Sequence, residues 1–309
     1  MIIDIGSAAS SCETLTLADG RSLAYAEYGD RDGEPFVFMH GVPSSRLAGQ
    51  LIHESAARQG IRLLTPDRPG YGLSDDLPDR TILDWPDDVA QLCDGLGIGH
   101  FGVMGVSGAV PYVLACAVRM PERLSHVAIL SGLGPLGNPG DLKGMNRESM
   151  TLYSLAVRSP RVGRVWMKML AQASKRSPLM VYRQQMRYLA EVDRAIFDSD
   201  EMRDLRLNDF AEAFRQGSSG PAQEAVLHVT DWGFELADIG VGVFMWQGGE
   251  DRHHPVAMAH SLSNALPNVQ TVIVPEAGAF GFVPRMDEVF DALLRVPAHV
   301  TDLASRPAS

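Results

Sequence analysis

The apolar positions along the chain follow two periods in turn, and this alternation predicts an α/β fold. Residues 13–28 alternate polar and apolar side chains around a turn at Asp19-Gly20, which predicts an antiparallel hairpin. Further along, short apolar runs typical of buried strands alternate with segments of helical period. The predicted strands are 36–39, 61–65, 101–106, 127–130, 241–246 and 270–274, and the predicted helices are 85–96, 109–119, 256–266 and 286–296. Such alternation favours a mostly parallel central sheet with helices on both faces.

The alternation stops at residues 133–140, a stretch rich in glycine and proline. From there to about residue 230 the pattern is helical and shows no convincing strand. We therefore predict a core domain formed by residues 1–133 and 231–309 and an inserted helical cap, or lid, over residues 134–230. Charge supports this division, because residues 141–190 contain ten Lys or Arg and two acids while the whole chain has a net charge of −11.

Composition narrows the class of protein. The 309 residues are 45% hydrophobic and 21% charged, which is typical of a soluble globular protein. No apolar run approaches the roughly 18 residues of a membrane span, and the first residues lack the features of a secretory signal. The odd number of cysteines, three, indicates reduced thiols. We expect a cytoplasmic protein with no membrane partner, and the negative charge disfavours nucleic acid.

A short motif at residues 105–109 (GVSGA) places a serine between a predicted strand and a predicted helix. The G-x-S-x-G nucleophile elbow requires this context, which exposes the Ser107 hydroxyl at the carboxyl edge of the sheet. The turn is so tight that the residues two before and two after the serine must be small. Gly105 and Ala109 satisfy this, although alanine replaces the usual second glycine. We predict that Ser107 is a nucleophile rather than a packing serine in a glycine-rich turn.

An acyl-transfer site also needs two backbone N–H donors for the oxyanion and a carboxylate that orients the base. Gly108, directly after the serine, and Val42, in the loop after an earlier predicted strand, are the expected donors. His40 in that same loop is expected to be a structural histidine, hydrogen-bonded beneath the loop, and not the base. The predicted acid is Asp251, which follows a later strand, with Glu250 as the alternative.

Five segments together resemble the α/β-hydrolase superfamily. They appear in the order typical of that family and span nearly the whole chain apart from the insertion. These segments are residues 40–43 (HGVP), 67–74 (DRPGYGLS), 105–109 (GVSGA), 248–251 (GGED) and 275–278 (PEAG). The resemblance implies an α/β-hydrolase fold, a serine hydrolase with a helical cap over the active site, a Ser–Asp–His triad and no cofactor. The motifs are specific to the fold and say little about the substrate.

The chain departs from this family at the catalytic histidine. The family places that residue directly after the glycine that follows the last strand, where this chain reads Gly278-Ala279-Phe280. Alanine therefore occupies the position of the general base. Because a methyl group cannot accept a proton, loss of the base predicts a turnover lower by on the order of 10⁴ to 10⁶.

Three explanations of this departure are open. The favoured one is a deliberate replacement of histidine that traps bound substrate, since the rest of the machinery is intact. The second is a natural chain that has given up hydrolysis. The third is a base supplied by another histidine. His253 and His254 lie on the loop of the predicted acid, from which we expect poor access to Ser107, and His228 and His260 are expected to serve packing or solvation.

The predicted cap is rich in methionine and aromatic residues, which suits an apolar ligand of irregular shape, although packing of helix faces explains most of them. Six of the fourteen methionines lie between residues 141 and 190. The residues predicted to contact the substrate are Gly41, Val106, Met145, Tyr153, Trp166 and Phe280. The basic excess of this segment suits an anionic substrate or an acidic surface of another protomer, and otherwise represents solvated helix faces.

These features together predict a serine hydrolase of carboxylic esters, lactones or related acyl groups that acts on a small apolar molecule as a monomer or homodimer. The alternative is a natural non-hydrolytic member of the fold that binds a small apolar ligand or catalyses a base-independent step, such as a cyclisation or lyase reaction. Gly102, Gly105 and Gly108 lack the spacing of a dinucleotide fingerprint. Since no HExxH, CxxC or Walker A motif is present either, we expect no metal and no cofactor.

Overall fold

The computed structural model of this chain describes residues 12–136 and 142–296. The N-terminal segment considered above as a signal (residues 1–11) and part of the predicted break (residues 137–141) lie outside these ranges, as do residues 297–309. Within the described ranges, eight strands form one sheet. They are β1 (Cys12–Thr16), β2 (Ser22–Gly29), β3 (Glu34–Met39), β4 (Ile61–Pro66), β5 (Phe101–Ser107), β6 (Leu124–Gly132), β7 (Val243–Gly248) and β8 (Val269–Val274).

The strand order is β1-β2-β4-β3-β5-β6-β7-β8. The first hairpin is antiparallel, with Cys12 opposite Ala26, and β2 also runs antiparallel to β4. All pairings from β4 onward are parallel. The mostly parallel sheet of an α/β-hydrolase fold is therefore confirmed. The carboxyl ends of β3, β5, β6, β7 and β8 meet at one edge, where α/β proteins form their sites.

The described helices are α1 (His53–Arg58), α2 (Trp85–Gly95), α3 (Val110–Arg119), α4 (Arg147–Arg158), α5 (Pro160–Arg176), α6 (Pro178–Met186), α7 (Glu191–Ile196), α8 (Asp200–Ala213), α9 (Ser219–Leu227), α10 (Val256–Ala265) and α11 (Met286–Leu293). Each predicted helix of the core appears with one boundary as predicted and the other shifted by one to three residues. Helix α1 and the 3₁₀ turn Arg46–Ile52 before it were not predicted. Their short apolar stretches lack a full helical period, so their register depends on packing against β2 and β4.

Two apolar layers cover the two faces of the sheet. Successive strand residues point to opposite faces. Val103 of β5 accordingly packs in the cluster with residues of α2 and α3, and its neighbour Met104 packs in the cluster with residues of α11. Both side chains are fully buried. This double coverage fixes the strand ends that carry the site.

Helices α4 to α9 lie between β6 and β7, and we refer to them as the helical insertion. Helix α5 contacts α4, α6, α8 and α9 and is the central element of this layer. None of the helices in the described part of the chain combines the length and the apolar character needed to cross a membrane.

Candidate active site

The serine motif forms a strained turn at the end of β5. Ser107 has a φ of +60°, a left-handed conformation that non-glycine residues rarely adopt. A Cβ atom on Gly105 would lie 2.5 Å from Val113 Cγ2 and 2.9 Å from Ala109 Cβ. Ala109 is itself fully buried, so there is no room for a larger side chain at either position. The geometry is that of a nucleophile elbow, in which the backbone turn holds the hydroxyl clear of its neighbours.

The structure brings His254 to this hydroxyl. Its Nε2 atom lies 3.2 Å from Ser107 Oγ. The expectation that His254 has poor access to Ser107 is therefore wrong. The reason is the shape of the loop after β7, where Asp251 Oδ1 accepts the backbone N–H groups of His253 at 2.7 Å and of His254 at 3.0 Å. These two bonds turn the chain back, so that the imidazole projects over the end of β5.

Asp251 is buried behind His254. Its Oδ2 atom lies 3.7 Å from His254 Nδ1, an ion-pair distance that is longer than a hydrogen bond. Gln247, fully buried at the end of β7, donates to Asp251 Oδ2 at 3.3 Å and to the His254 carbonyl at 2.9 Å. Burial by itself would raise the pKa of Asp251, but the side chain of His254 and the nearby donors lower it below its usual value. The carboxyl is therefore ionised at neutral pH.

The neighbouring His253 lines the same cavity. Burial lowers its pKa to about 4, although the charge of Asp251 acts in the opposite direction. The imidazole of His253 is consequently neutral near pH 7. Within the described ranges its Nδ1 atom has no hydrogen-bond partner.

The loop after β8 is where the family carries its histidine. In this chain the loop contacts the helical insertion. Asp193 of α7 accepts the backbone N–H of Ala279 at 2.7 Å and that of Phe280 at 3.0 Å. Its carboxylate also occupies the space into which a side chain on Gly278 would project. Asp193 is 1% exposed, and burial raises its pKa to about 6. Ala279 lies in the cavity wall beside Ser107, as its position in the sequence suggested.

The loop after β3 approaches the serine closely. A Cβ atom on Gly41 would lie 3.4 Å from Ser107 Cβ and 3.7 Å from Ser107 Oγ, which is van der Waals contact. Gly108 is adjacent to Val42, since a Cβ on Gly108 would lie 2.9 Å from Val42 Cγ2. The two residues predicted to supply oxyanion donors are thus neighbours at the serine.

A buried histidine and a buried arginine hold the loop after β3 through hydrogen bonds to its backbone. His40 is fully buried, with Nδ1 2.9 Å from the Gly41 carbonyl and Nε2 3.3 Å from the backbone N–H of Arg68. Burial and the charge of Arg68 hold the pKa of His40 well below its usual value. The structural role predicted for His40 is confirmed. Arg68 donates to the His40 carbonyl at 2.6 Å and to the Gly41 carbonyl at 3.2 Å.

Arg68 also connects the core to the helical insertion. Glu224 of α9 pairs with its guanidinium and accepts the Tyr71 hydroxyl at 2.6 Å. Burial would raise the pKa of Glu224, but Arg68 and the more distant Arg80 lower it to about 2. One turn further along the chain, the pKa of the buried His228 is lowered to about 4, chiefly by desolvation. This network was not predicted, because its partners are about 150 residues apart in the sequence.

A cavity of about 140 Å³ opens beside Ser107, between the sheet edge and the helical insertion. Its wall includes five of the six residues predicted to contact substrate, Gly41, Val106, Tyr153, Trp166 and Phe280, and it also includes Val42 and Ala279. Met145 does not contribute to this wall. After the turn at Gly144, with φ of +90°, its side chain packs in a separate apolar cluster with Leu142 and Met258.

The cavity wall also contains charged residues that the sequence did not single out. Glu148, Arg206 and Asp209 face the cavity from α4 and α8. Arg206 Nη1 donates to Asp209 Oδ2 at 2.8 Å, and its guanidinium lies 5.6 Å from the Phe280 ring. Burial raises the pKa of Glu148, and Arg206 partly opposes that effect. Across residues 12–136 and 142–296, no group of three or more His, Cys, Asp or Glu side chains is arranged to hold a metal ion.

Comparison with known proteins identifies the family of this chain. Residues 34–285 match the model of the family described as alpha/beta hydrolase fold. The chain is 32% identical over 127 residues to a non-heme chloroperoxidase of Streptomyces lividans and 30% identical over 127 residues to a bifunctional esterase/perhydrolase of Acinetobacter calcoaceticus. Each match covers 40% of this chain and 45% of the relative, which is less than half of that protein's length.

Among solved structures, the enol-lactonase from Burkholderia xenovorans LB400 superimposes with a TM-score of 0.68 at 18% identity, over 92% of this chain and 99% of that one. At this identity the likeness concerns the fold. The family match, in contrast, spans most of the sequence and includes the elbow and the loops around it. The chain therefore belongs to the alpha/beta hydrolase fold family.

Proposed function

We propose that this chain is a serine hydrolase of carboxylic esters or lactones in which Ser107 is the nucleophile, His254 the general base and Asp251 the carboxylate that orients the base. The observation that carries the proposal is the 3.2 Å separation of Ser107 Oγ and His254 Nε2 at the wall of a cavity. This distance is at the upper end of hydrogen-bond reach, which is what a nucleophile and its base require. A histidine at position 279 is then unnecessary.

The reaction follows from these positions. Ser107 transfers its proton to His254 Nε2 as its oxygen attacks the ester carbonyl carbon. The resulting oxyanion accepts hydrogen bonds from the N–H groups of Gly108 and Val42. His254 then returns the proton to the leaving alkoxide, which departs and leaves an acyl group on Ser107. A water molecule, deprotonated by the same imidazole, hydrolyses the acyl-enzyme and restores the serine.

Asp251 supplies the negative charge that stabilises the imidazolium formed during each half of the reaction. The 3.7 Å separation from His254 Nδ1 exceeds a hydrogen bond by about 0.8 Å. Catalytic hydrogen bonds are often long in a site without substrate and shorten in the complex. The lowered pKa of Asp251 keeps the carboxylate charged for this role.

The cavity favours a small, mainly apolar and uncharged substrate. Its volume of about 140 Å³ accommodates a short acyl chain, and Trp166, Met167 and Leu170 supply apolar wall. Two carboxylates, Glu148 and Asp209, face it with a single guanidinium. A polar but neutral group fits this set better than an anion, which argues against the anionic substrate considered from the sequence. The bifunctional esterase/perhydrolase among the similar proteins supports acyl substrates of this kind.

The direct test is acylation of Ser107. The purified chain is incubated with p-nitrophenyl acetate and, separately, with a fluorophosphonate, and the modified residue is identified by peptide mass spectrometry. We expect catalytic release of p-nitrophenol and a phosphonate adduct on Ser107, with neither in Ser107→Ala. Absence of both in the unmodified chain would contradict the proposal. If the chain then binds small apolar ligands tightly, the non-hydrolytic alternative is favoured.

A further inference from the structure

The outer surface of helices α4 to α6 carries an unusual excess of unpaired positive charge. All ten Lys and Arg residues from Lys143 to Arg187 are exposed. None of them forms an ion pair with another described residue. Four arginines of the core differ from them, since Arg21, Arg46, Arg62 and Arg68 each pair with a carboxylate.

Carboxylates do not neutralise this surface from within the segment. Glu148 is the only acid in residues 142–190, and it turns inward to the cavity. The surface is therefore cationic at every pH at which Lys and Arg are charged. The electrostatic field of these exposed cations attracts an anionic partner over a distance of about one Debye length.

The same helices carry all but one of the large hydrophobic side chains that are exposed in the described part of the chain, the exception being Val192 of α7. Every large hydrophobic residue that is exposed in the described part of the chain lies between residues 150 and 192: Met150, Val157, Val162, Val165, Met169, Leu179, Met180 and Val192. Exposed hydrophobic residues scattered over a surface need no explanation, but their confinement to one layer does.

Helix α5 shows how the two features combine. Val162, Val165 and Met169 follow the spacing i, i+3, i+7, which places them on one face of the helix, and they are 44%, 57% and 63% exposed. Arg161 and Lys168 flank this stripe and are also exposed. Met167 lies on the opposite face, and it lines the cavity together with Trp166 and Leu170 at the side of the helix. One helix thus separates the cavity from an outer face that is both cationic and apolar.

We propose that this outer face, formed by α4, α5 and α6, docks the protein on an anionic lipid surface. Lys and Arg near a bilayer are attracted to anionic headgroups, and apolar side chains between them insert into the boundary of the acyl chains. Protein interfaces share the Arg and Met of this face, but their cores are depleted of charged residues, whereas ten cations lie among the apolar side chains here. The inference is independent of the chemistry proposed for Ser107.

The experiment uses the full chain and sedimentation with vesicles of phosphatidylcholine alone or with phosphatidylglycerol added. We expect binding only when the anionic lipid is present, and release as salt rises from tens to hundreds of millimolar. Attraction of about fivefold per cation predicts that Arg164→Glu/Lys168→Glu weakens partitioning by about 30-fold or more. Val165→Ser/Met169→Ser leaves the charge intact and is expected to weaken binding at every salt concentration.

A matched control is available in the core. Arg31 and Arg295 are exposed and make no ion pair with any residue that the structure describes. Arg31→Glu/Arg295→Glu therefore changes the net charge by the same amount as the reversal on α5, and it should alter partitioning less than a fifth as much. Equal loss in the two variants would overturn the proposal, as would binding to neutral vesicles. Failure to bind, together with a dimer in gel filtration that the α5 reversal dissociates, would assign the face to a second copy of the chain.

Discussion

The loops that follow β7 and β8 meet at the same edge of the sheet, yet they differ in what they offer the serine. The first contains a carboxylate and an imidazole three residues apart, Asp251 and His254, folded toward Ser107 by two backbone hydrogen bonds. The second presents the methyl group of Ala279, and its backbone N–H groups are occupied by Asp193 of the helical insertion. One loop has the chemistry of a base, whereas the other has a structural contact with the insertion.

In the proposed mechanism, the base comes from a different place in the chain than in the family pattern. A turn of three residues brings the imidazole within 3.2 Å of the hydroxyl from the loop that normally supplies only the acid. The loop after β8 is then free of a catalytic role and can fix the insertion to the core.

The largest expected effect is that of His254→Ala. Removing the base should lower kcat for p-nitrophenyl acetate by about 10⁴ to 10⁶, because Ser107 then has no proton acceptor. The control is His260→Ala, which replaces an exposed histidine on α10 and should leave the rate unchanged. Stopped-flow and steady-state kinetics measure both. A His254→Ala variant within tenfold of the unmodified chain would refute the role of this loop.

Asp251→Asn should lower kcat by about 10³ to 10⁴, since the amide no longer stabilises the imidazolium but can still accept the backbone N–H bonds of the loop. KM is expected to change little, because Asp251 lies behind His254 and does not line the cavity in the described structure. The matched variant is Glu250→Gln, which neutralises the adjacent, exposed carboxyl. Similar losses in the two variants would show a general charge effect instead of orientation of His254.

Asp193→Asn tests the contact between α7 and the loop after β8, and the quantity measured is the free energy of unfolding. The pKa of Asp193 is raised by burial to about 6, so the folded protein binds the proton more tightly than the unfolded chain. The folded protein therefore loses stability as pH rises from about 4 to about 6, by up to about 3 kcal/mol, because the Asp193 carboxyl ionises. In urea unfolding at pH 4.5 and 7.5, the free energy of unfolding of the variant relative to that of the unmodified chain should be higher at pH 7.5.

The control for that measurement is Asp198→Asn, an exposed position in the same insertion. Its effect on the free energy of unfolding should be equal at the two pH values. If the effect of Asp193→Asn is also equal at the two pH values, ionisation of the Asp193 carboxyl does not lower the stability of the folded protein.

The smallest expected effect is that of Ala279→His, and it separates the two loops most sharply. With His254 as the base, a second imidazole should raise kcat by less than about tenfold, well below the 10² or more that an added base supplies. A gain of 10² or more would show that the site lacks a base and would favour the interpretation of Ala279 as a lost histidine. The far-ultraviolet circular dichroism of the variant verifies that it is folded.

The sheet and the elbow could be predicted because their signals are local. Apolar runs and periods define the strands, and the small residues around Ser107 are required by one tight turn. His254 could not be placed, since its approach to Ser107 depends on the path of the loop after β7. The spacing Asp251-x-x-His254 is the available signal, but a place on the loop of the acid predicts poor access to Ser107.

Met145 and Asp193 illustrate the same limit. Met145 has the residue type expected of a cavity wall, but the direction of its side chain is set by the turn at Gly144 and its packing on Met258. Asp193 accepts hydrogen bonds from backbone N–H groups of a loop 86 residues away, and no periodicity in the sequence predicts this contact. Contacts of this kind follow from the packing of the insertion on the core.

The buried pair of Arg68 and Glu224 gives the helical insertion a fixed end. Helix α9 is held there by the guanidinium, by the Tyr71 hydroxyl and by the close packing of Gly220 on the backbone of Gly70. Exposed cations of α4 to α6 make no comparable ion pairs within the described residues. We therefore expect amide hydrogens to exchange more slowly in α9 than in α4 to α6.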